Sequence, residues 1–140
     1  MDEGWIFSKE WLLPSEYGYE KQAMYEVSSV IDRVDPDYPR REDLLTVVAE
    51  ACLNALEHGN HGDRRLPVRL LMQVSVNVFR FLIFDEGEGF QALPEAAATD
   101  RKWSENEPRG WGIFLIRSLA DRMKYGERGG KFYIEVQFDR

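Results

Sequence analysis

The segment from residue 68 to 84 constrains the fold of this chain more than any other. Val68, Leu70, Met72 and Val74 alternate, residues 75–77 read as a turn, and the run from Val78 to Phe84 is nearly all apolar. This pattern predicts two consecutive antiparallel strands. Such a pair is stable only when its apolar face is covered, so the rest of the chain must supply the cover. Two helical patterns precede it. From about Tyr17 to Val34, the positions Met24, Val27, Ile31 and Val34 recur at three- and four-residue spacing until Asp35-Pro36 stops them. From about Arg41 to His58, Leu44, Val47, Val48, Ala51 and Ala55 form a stripe, and Gly59 suits the left-handed position past its end. Trp5 to Phe7 and Trp11 to Leu13 suggest an edge strand ended by Pro14. Ile113, Ile116, Leu119 and Met123 mark a third helix, and Lys131 to Phe138 alternates as a last strand behind Gly129-Gly130, with a further short strand admissible near Lys124. The order strand, helix, helix, strand, strand, loop, helix, strand has no repeated βαβ unit, so the expected class is α+β, a two-layer α/β sandwich with a mixed, mostly antiparallel sheet.

The chain has 140 residues, 44% of them hydrophobic, enough for one domain with one core. A formal charge of −7 offers no broad cationic face to nucleic acid or to anionic lipid, and basic or neutral protein partners fit better. Cys52 is the only cysteine, which rules out an intrachain disulfide, and the first residues lack the basic start and long apolar run of a signal peptide. No apolar stretch approaches the roughly 20 residues needed to span a bilayer. The expected compartment is the cytoplasm.

Three short constellations carry chemistry. Glu50, Asn54 and His58 are four residues apart on the second helix, so an acid and an amide share a face set apart from the apolar stripe. Asp85-Glu86-Gly87-Glu88-Gly89 follows directly on the apolar strand, so that Asp85 sits at a strand end and two glycines admit a close ligand. Arg109-Gly110-Trp111-Gly112 opens the third helix, where unpaired N–H groups and the positive dipole end suit a phosphate. Each signal taken singly also has an ordinary reading: a solvated helix face, an acidic turn, a glycine at a helix start.

Taken in order, E-x-x-x-N-A-x-x-H-G over Glu50 to Gly59, D-x-G-x-G over Asp85 to Gly89 and R-G-x-G over Arg109 to Gly112 resemble the nucleotide-binding boxes of the GHKL superfamily of ATPases. The pattern is most similar to the anti-sigma factor serine kinases of the RsbW and SpoIIAB type, and the resemblance spans roughly Pro14 to Phe138. It implies a histidine-kinase-like ATP-binding fold over the single domain 1–140, with Gln91 to Pro108 as the ATP lid. It further implies that Asn54 coordinates a magnesium ion on the ATP phosphates and that Asp85 accepts from the adenine amine. Gly87 and Gly89 would let base and ribose lie against the turn. Gly110, Gly112 and nearby amides, those of Arg109 and Trp111 among them, would hold phosphates. Glu50 would be the general base toward an attacking hydroxyl, with His58 structural. Arg101, Lys102 and Arg109 are candidate phosphate contacts, and Trp103 and Trp111 could bury against the lid or a partner. One departure is that the family places a threonine after the glycine of its last box, where this chain reads Gly129-Gly130-Lys131. Losing that hydrogen bond costs roughly 0.5–1.5 kcal/mol, at most about tenfold in affinity.

The function this implies is an ATP-dependent protein serine/threonine kinase acting as an anti-sigma factor. It would phosphorylate a small STAS-type antagonist protein and regulate the availability of a sigma factor, as a homodimer without direct nucleic-acid or membrane contact. Two alternatives stay open: a nucleotide-binding interaction module that transfers no phosphate, which the missing threonine favours, and a detached histidine-kinase catalytic domain.

Overall fold

A computed structural model of the chain describes residues 4–86 and 108–140, with backbone alone for 108–111. Strand β1 spans Phe7–Leu13, helix α1 Tyr19–Val34 and helix α2 Arg41–Asn54, continued by a π turn over Ala55–Gly59. Strands β2 (Val68–Val74) and β3 (Val78–Phe84) follow, then helix α3 (Pro108–Leu119) and strands β4 (Arg122–Arg128) and β5 (Lys131–Asp139). The five strands lie in the order β1-β2-β3-β5-β4. Every pairing in this sheet is antiparallel, including the edge pairing of β1 on β2. Helices cover one face, which is the two-layer α+β arrangement expected.

The alternation in β2 sets the register of the whole core. Leu70 pairs with Ile83, which pairs with Ile134; Met72 pairs with Phe81 and then Val136; Val74 pairs with Phe79 and then Phe138. All nine are buried, and a slip of one residue would turn every one of them away from the helices. Ser75 closes the β2–β3 turn, its hydroxyl accepting from the N–H groups of Asn77 and Val78 at 3.2 and 3.1 Å.

On the helical side, α1 buries Ala23, Val27, Val30 and Ile31. The stripe is thus centred beside Met24 and Val34, which are only partly buried. Asp35 ends the helix with its N–H on the Ile31 carbonyl at 2.8 Å. The first residue of α2, Arg41, donates to Ser28 Oγ at 2.8 Å and to Asp32 at 2.7 Å, locking α1 against α2. Its neighbour Arg40 lies over the Phe138 ring and pairs with Asp121 at 2.9 Å, tying the start of α2 to the corner between α3 and β4.

Two sequence expectations need correction. Met123 belongs to β4 and pairs with Val136, since α3 stops at Leu119 and the chain turns at once into a seven-residue strand. Gly59 has no positive φ; the left-handed residues after α2 are His61 (φ 54) and Gly62 (φ 69). The helix therefore does not end at Gly59 by a glycine cap. It widens into the π turn, with the Asn60 N–H donating to Ala55 O at 2.8 Å. Of the expected lid, Gln91 to Pro108, residues 91–107 lie outside the described residues and Pro108 begins α3.

Cys52 sits in the core, where burial pushes its thiol up to about 12. Such a thiol is unreactive. Among the described residues no helix is long and apolar enough to cross a membrane.

Candidate nucleotide site

The end of α2 and its π turn meet both the start of α3 and the end of β3, and the glycines there show how closely. At Gly112, on the inner side of α3, an added Cβ would lie 3.3 Å from Asn54 Nδ2 and 3.4 Å from Glu50 Oε1. The acid and the amide of the second helix thus converge on the first turns of the third. Pro108 opens α3, a residue suited to the first helical position because its lacking N–H would be unpaired there. Arg109, Gly110 and Trp111 follow in the first turn by backbone, and Ile113 and Ile116 bury that helix against the core.

The second close approach joins α2 to β3. A Cβ on Gly59 would fall 2.1 Å from Asp85 Cγ and 2.2 Å from Oδ2, so the carboxylate occupies the space that any side chain at 59 would need. Asp85 is buried. Its N–H donates to Phe132 O at 3.1 Å, which fixes the strand end against β5. The next residue is held twice, the Glu86 N–H donating to Asn60 Oδ1 at 2.7 Å and the Glu86 carboxylate accepting from Lys131 Nζ at 2.5 Å. Gly87 and Gly89 lie outside the described residues, as do Arg101, Lys102 and Trp103.

Burial of Glu50, aided by the negative charge of Glu57, raises its carboxyl above the ordinary range. A carboxylate held half out of water has a stronger drive to take a proton, as a general base requires. Asn54 is buried beside it. His58 lies within the π turn, its Nε2 3.6 Å from Glu57 Oε1, and Glu57 in turn accepts from the Tyr17 hydroxyl at 2.5 Å. Of the residues singled out in the sequence, the structure brings Glu50 and Asn54 to Gly112. Sequence reasoning missed the Gly59 contact with Asp85, the buried Asn60 and the Lys131–Glu86 pair; for Asn60 the one available signal was its position directly after the first box.

The structure thus holds a buried acid behind a glycine that leaves it space, and an acid and an amide against the start of α3. The sequence profile of the histidine kinase-like ATPase domain matches residues 13–136, and the chain belongs to that family. Its relatives include the serine-protein kinase RsbW of Oceanobacillus iheyensis, 27% identical over 127 residues that cover 86% of this chain and 80% of that protein. The anti-sigma F factor of Halalkalibacterium halodurans is 31% identical over 108 residues, 75% of this chain and 73% of its own length. Among solved structures, the RsbU and RsbW domains of a Mycobacterium tuberculosis protein superpose with a TM-score of 0.68 at 13% identity, over 96% of this chain and 33% of that one. A chain in the structure of the SiaB–SiaC complex from Pseudomonas aeruginosa is a further fold neighbour, with a TM-score of 0.64 at 10% identity over 97% and 89% of the two chains. Those two likenesses concern the fold. The named relatives place the chain on the branch of protein serine kinases and anti-sigma factors.

Proposed function

We propose that this chain is an ATP- and magnesium-dependent protein serine/threonine kinase of the partner-switching kind. In this reading it phosphorylates a small STAS-type antagonist and binds a sigma factor, acting as a cytoplasmic homodimer. The observation that carries it is the convergence of Glu50 Oε1 and Asn54 Nδ2 on Gly112 at the start of α3. That placement sets a base of raised proton affinity beside a helix N-terminal turn able to receive phosphates.

Each residue then has a separate task. Asp85, fixed by Phe132 and pressed on Gly59, accepts from the adenine amine and would face a carbonyl oxygen if the base were guanine. The N–H groups of Arg109 to Gly112 hold phosphates, and Gly110 and Gly112 keep the approach clear of side chains. Gly87 and Gly89 extend the surface against base and ribose. Among the described residues no group of three or more His, Cys, Asp or Glu could hold a metal ion alone. A magnesium ion would take the Asn54 side-chain carbonyl oxygen as its protein ligand, since magnesium favours hard oxygen ligands. When bound, such an ion would supply charge neutralisation on the phosphates. Glu50 takes the proton of the attacking serine or threonine hydroxyl.

A phosphoryl-transfer assay with the purified chain, labelled ATP and its copurifying proteins tests the reading, alongside calorimetry with ATP and GTP. ATP is expected to bind in preference, and Asp85→Asn to lose most of that preference. Equal affinity for the two nucleotides would overturn the pocket assignment. A second reading, a nucleotide-responsive module without transfer, is favoured by one observation: Lys131, at the position after the last glycines, is engaged with Glu86 where a hydroxyl would be expected. Transfer to a copurified protein that disappears in Glu50→Gln excludes it.

A further inference from the structure

Asn60 lies just past the first sequence box and is wholly buried. Its amide group serves three separate parts of the chain. Nδ2 faces Ser15 Oγ at 2.9 Å, Leu66 O at 2.9 Å and Pro67 O at 3.2 Å, while Oδ1 accepts the Glu86 N–H at 2.7 Å. Ser15 follows β1, Leu66 and Pro67 lead into β2, and Glu86 follows Asp85 at the exit of β3. The backbone of Asn60 closes the π turn of α2 on Ala55 O. An amide alone presents an acceptor to one segment and donors to the others from a single planar group. An aspartate would turn a carboxylate oxygen toward the Leu66 and Pro67 carbonyls, and an alanine would leave the Glu86 N–H without this partner.

We propose that Asn60 is a positioning residue for the adenine-selecting carboxylate, fixing the Glu86 peptide, and with it Asp85, against the end of α2. From the β5 side the same two residues are held by Phe132 O and by Lys131. Asn60 is the hold from the helix side. It matters there because Asp85 already fills the space over the Gly59 Cα, so a small drift of the turn changes where its carboxylate points. The proposal rests on the reading of Asp85 as the adenine acceptor.

The test compares ATP and GTP affinities by calorimetry in the presence of magnesium for the unaltered chain, Asn60→Ala and Ser15→Ala, with thermal melts of each. Asn60→Ala should weaken ATP binding by roughly tenfold, the loss of about one well-placed hydrogen bond, and weaken GTP binding less, so that the ratio of the two shrinks. Ser15→Ala removes one partner of Asn60 but leaves its bond to Glu86. It should lower the melting temperature and keep the ratio. A folded Asn60→Ala with the original ratio overturns the proposal, and so does a Ser15→Ala that loses selectivity equally, which would mark a packing effect. Equal affinities in the unaltered chain would instead remove the adenine reading and this proposal with it. Should Asn60→Ala fail to fold, amide hydrogen exchange of Glu86 in the unaltered chain decides: protection supports the hold, and exchange at the rate of an unstructured peptide overturns it.

Discussion

Asp85 is placed by a residue that has no side chain. Because its carboxylate sits where a Cβ at Gly59 would be, Gly59→Ala cannot keep both groups in position. Overpacking of this kind costs about 1–3 kcal/mol of stability, and displacement of a charged acceptor should weaken ATP binding by roughly 10–100-fold. Calorimetry together with a denaturant melt reads both effects. Glu50 makes a different prediction. Burial first, and Glu57 second, raise its carboxyl, so the native state favours the protonated form. The associated stability is full below the ordinary carboxylate range and is lost as pH rises through the raised value. At neutral pH the ionised group therefore weakens the fold. Glu50→Gln should melt no lower than the unaltered chain there, while phosphoryl transfer falls by about 10²–10⁴-fold. The transfer rate of the unaltered chain should climb with pH across a midpoint above that of an exposed glutamate. A rate flat with pH in that range would remove Glu50 as the base.

Two turns decide where the elements place their residues. After α2 the π turn gives the chain the extra residue that sets Gly59 against Asp85 and Asn60 against Glu86. A regular helical end would rotate those two positions relative to β3. Between β4 and β5, Gly129 and Gly130 have φ of 62° and 81°, a two-residue hairpin turn with Arg128 opposite Lys131. An L side chain at either position costs about 1–2 kcal/mol. Gly129→Ala and Gly130→Ala should each lower stability by that amount in chemical denaturation. Asp85→Asn, which leaves the hairpin alone, is the comparison for any accompanying loss of nucleotide affinity, because Lys131 at the foot of the hairpin holds Glu86.

The described residues form one sheet with helices on one face, and among them the opposite face is covered by side chains. Phe84 lies there under the Arg69 guanidinium, 4.7 Å from the ring centroid, while Arg128 stacks on Tyr133 at 4.7 Å. Glu135 pairs beside them with Arg80 at 3.3 Å; burial works against its charge, yet the Arg80 and Gln137 hydrogen bonds hold its carboxyl below the ordinary range. Stability is concentrated on the helical side. Phe81→Ala, in the centre of the row from Met72 to Val136, should cost about 3–5 kcal/mol, whereas Val76→Ala at the exposed β2–β3 turn should stay within about 0.5 kcal/mol. Urea titration of both variants checks the contrast. The sequence by itself determined four of the five strands, the helices and the three boxes, because alternation and helical spacing act within one segment and survive in the linear text. It could not assign Met123 to a strand, since an apolar residue continues a helical spacing whether or not the helix has ended. Nor could it show Asp85 against Gly59 or Asn60 between three segments. Those contacts join parts of the chain some 26 residues apart, and only the tertiary structure decides which distant atoms share a volume too small for one more methyl group.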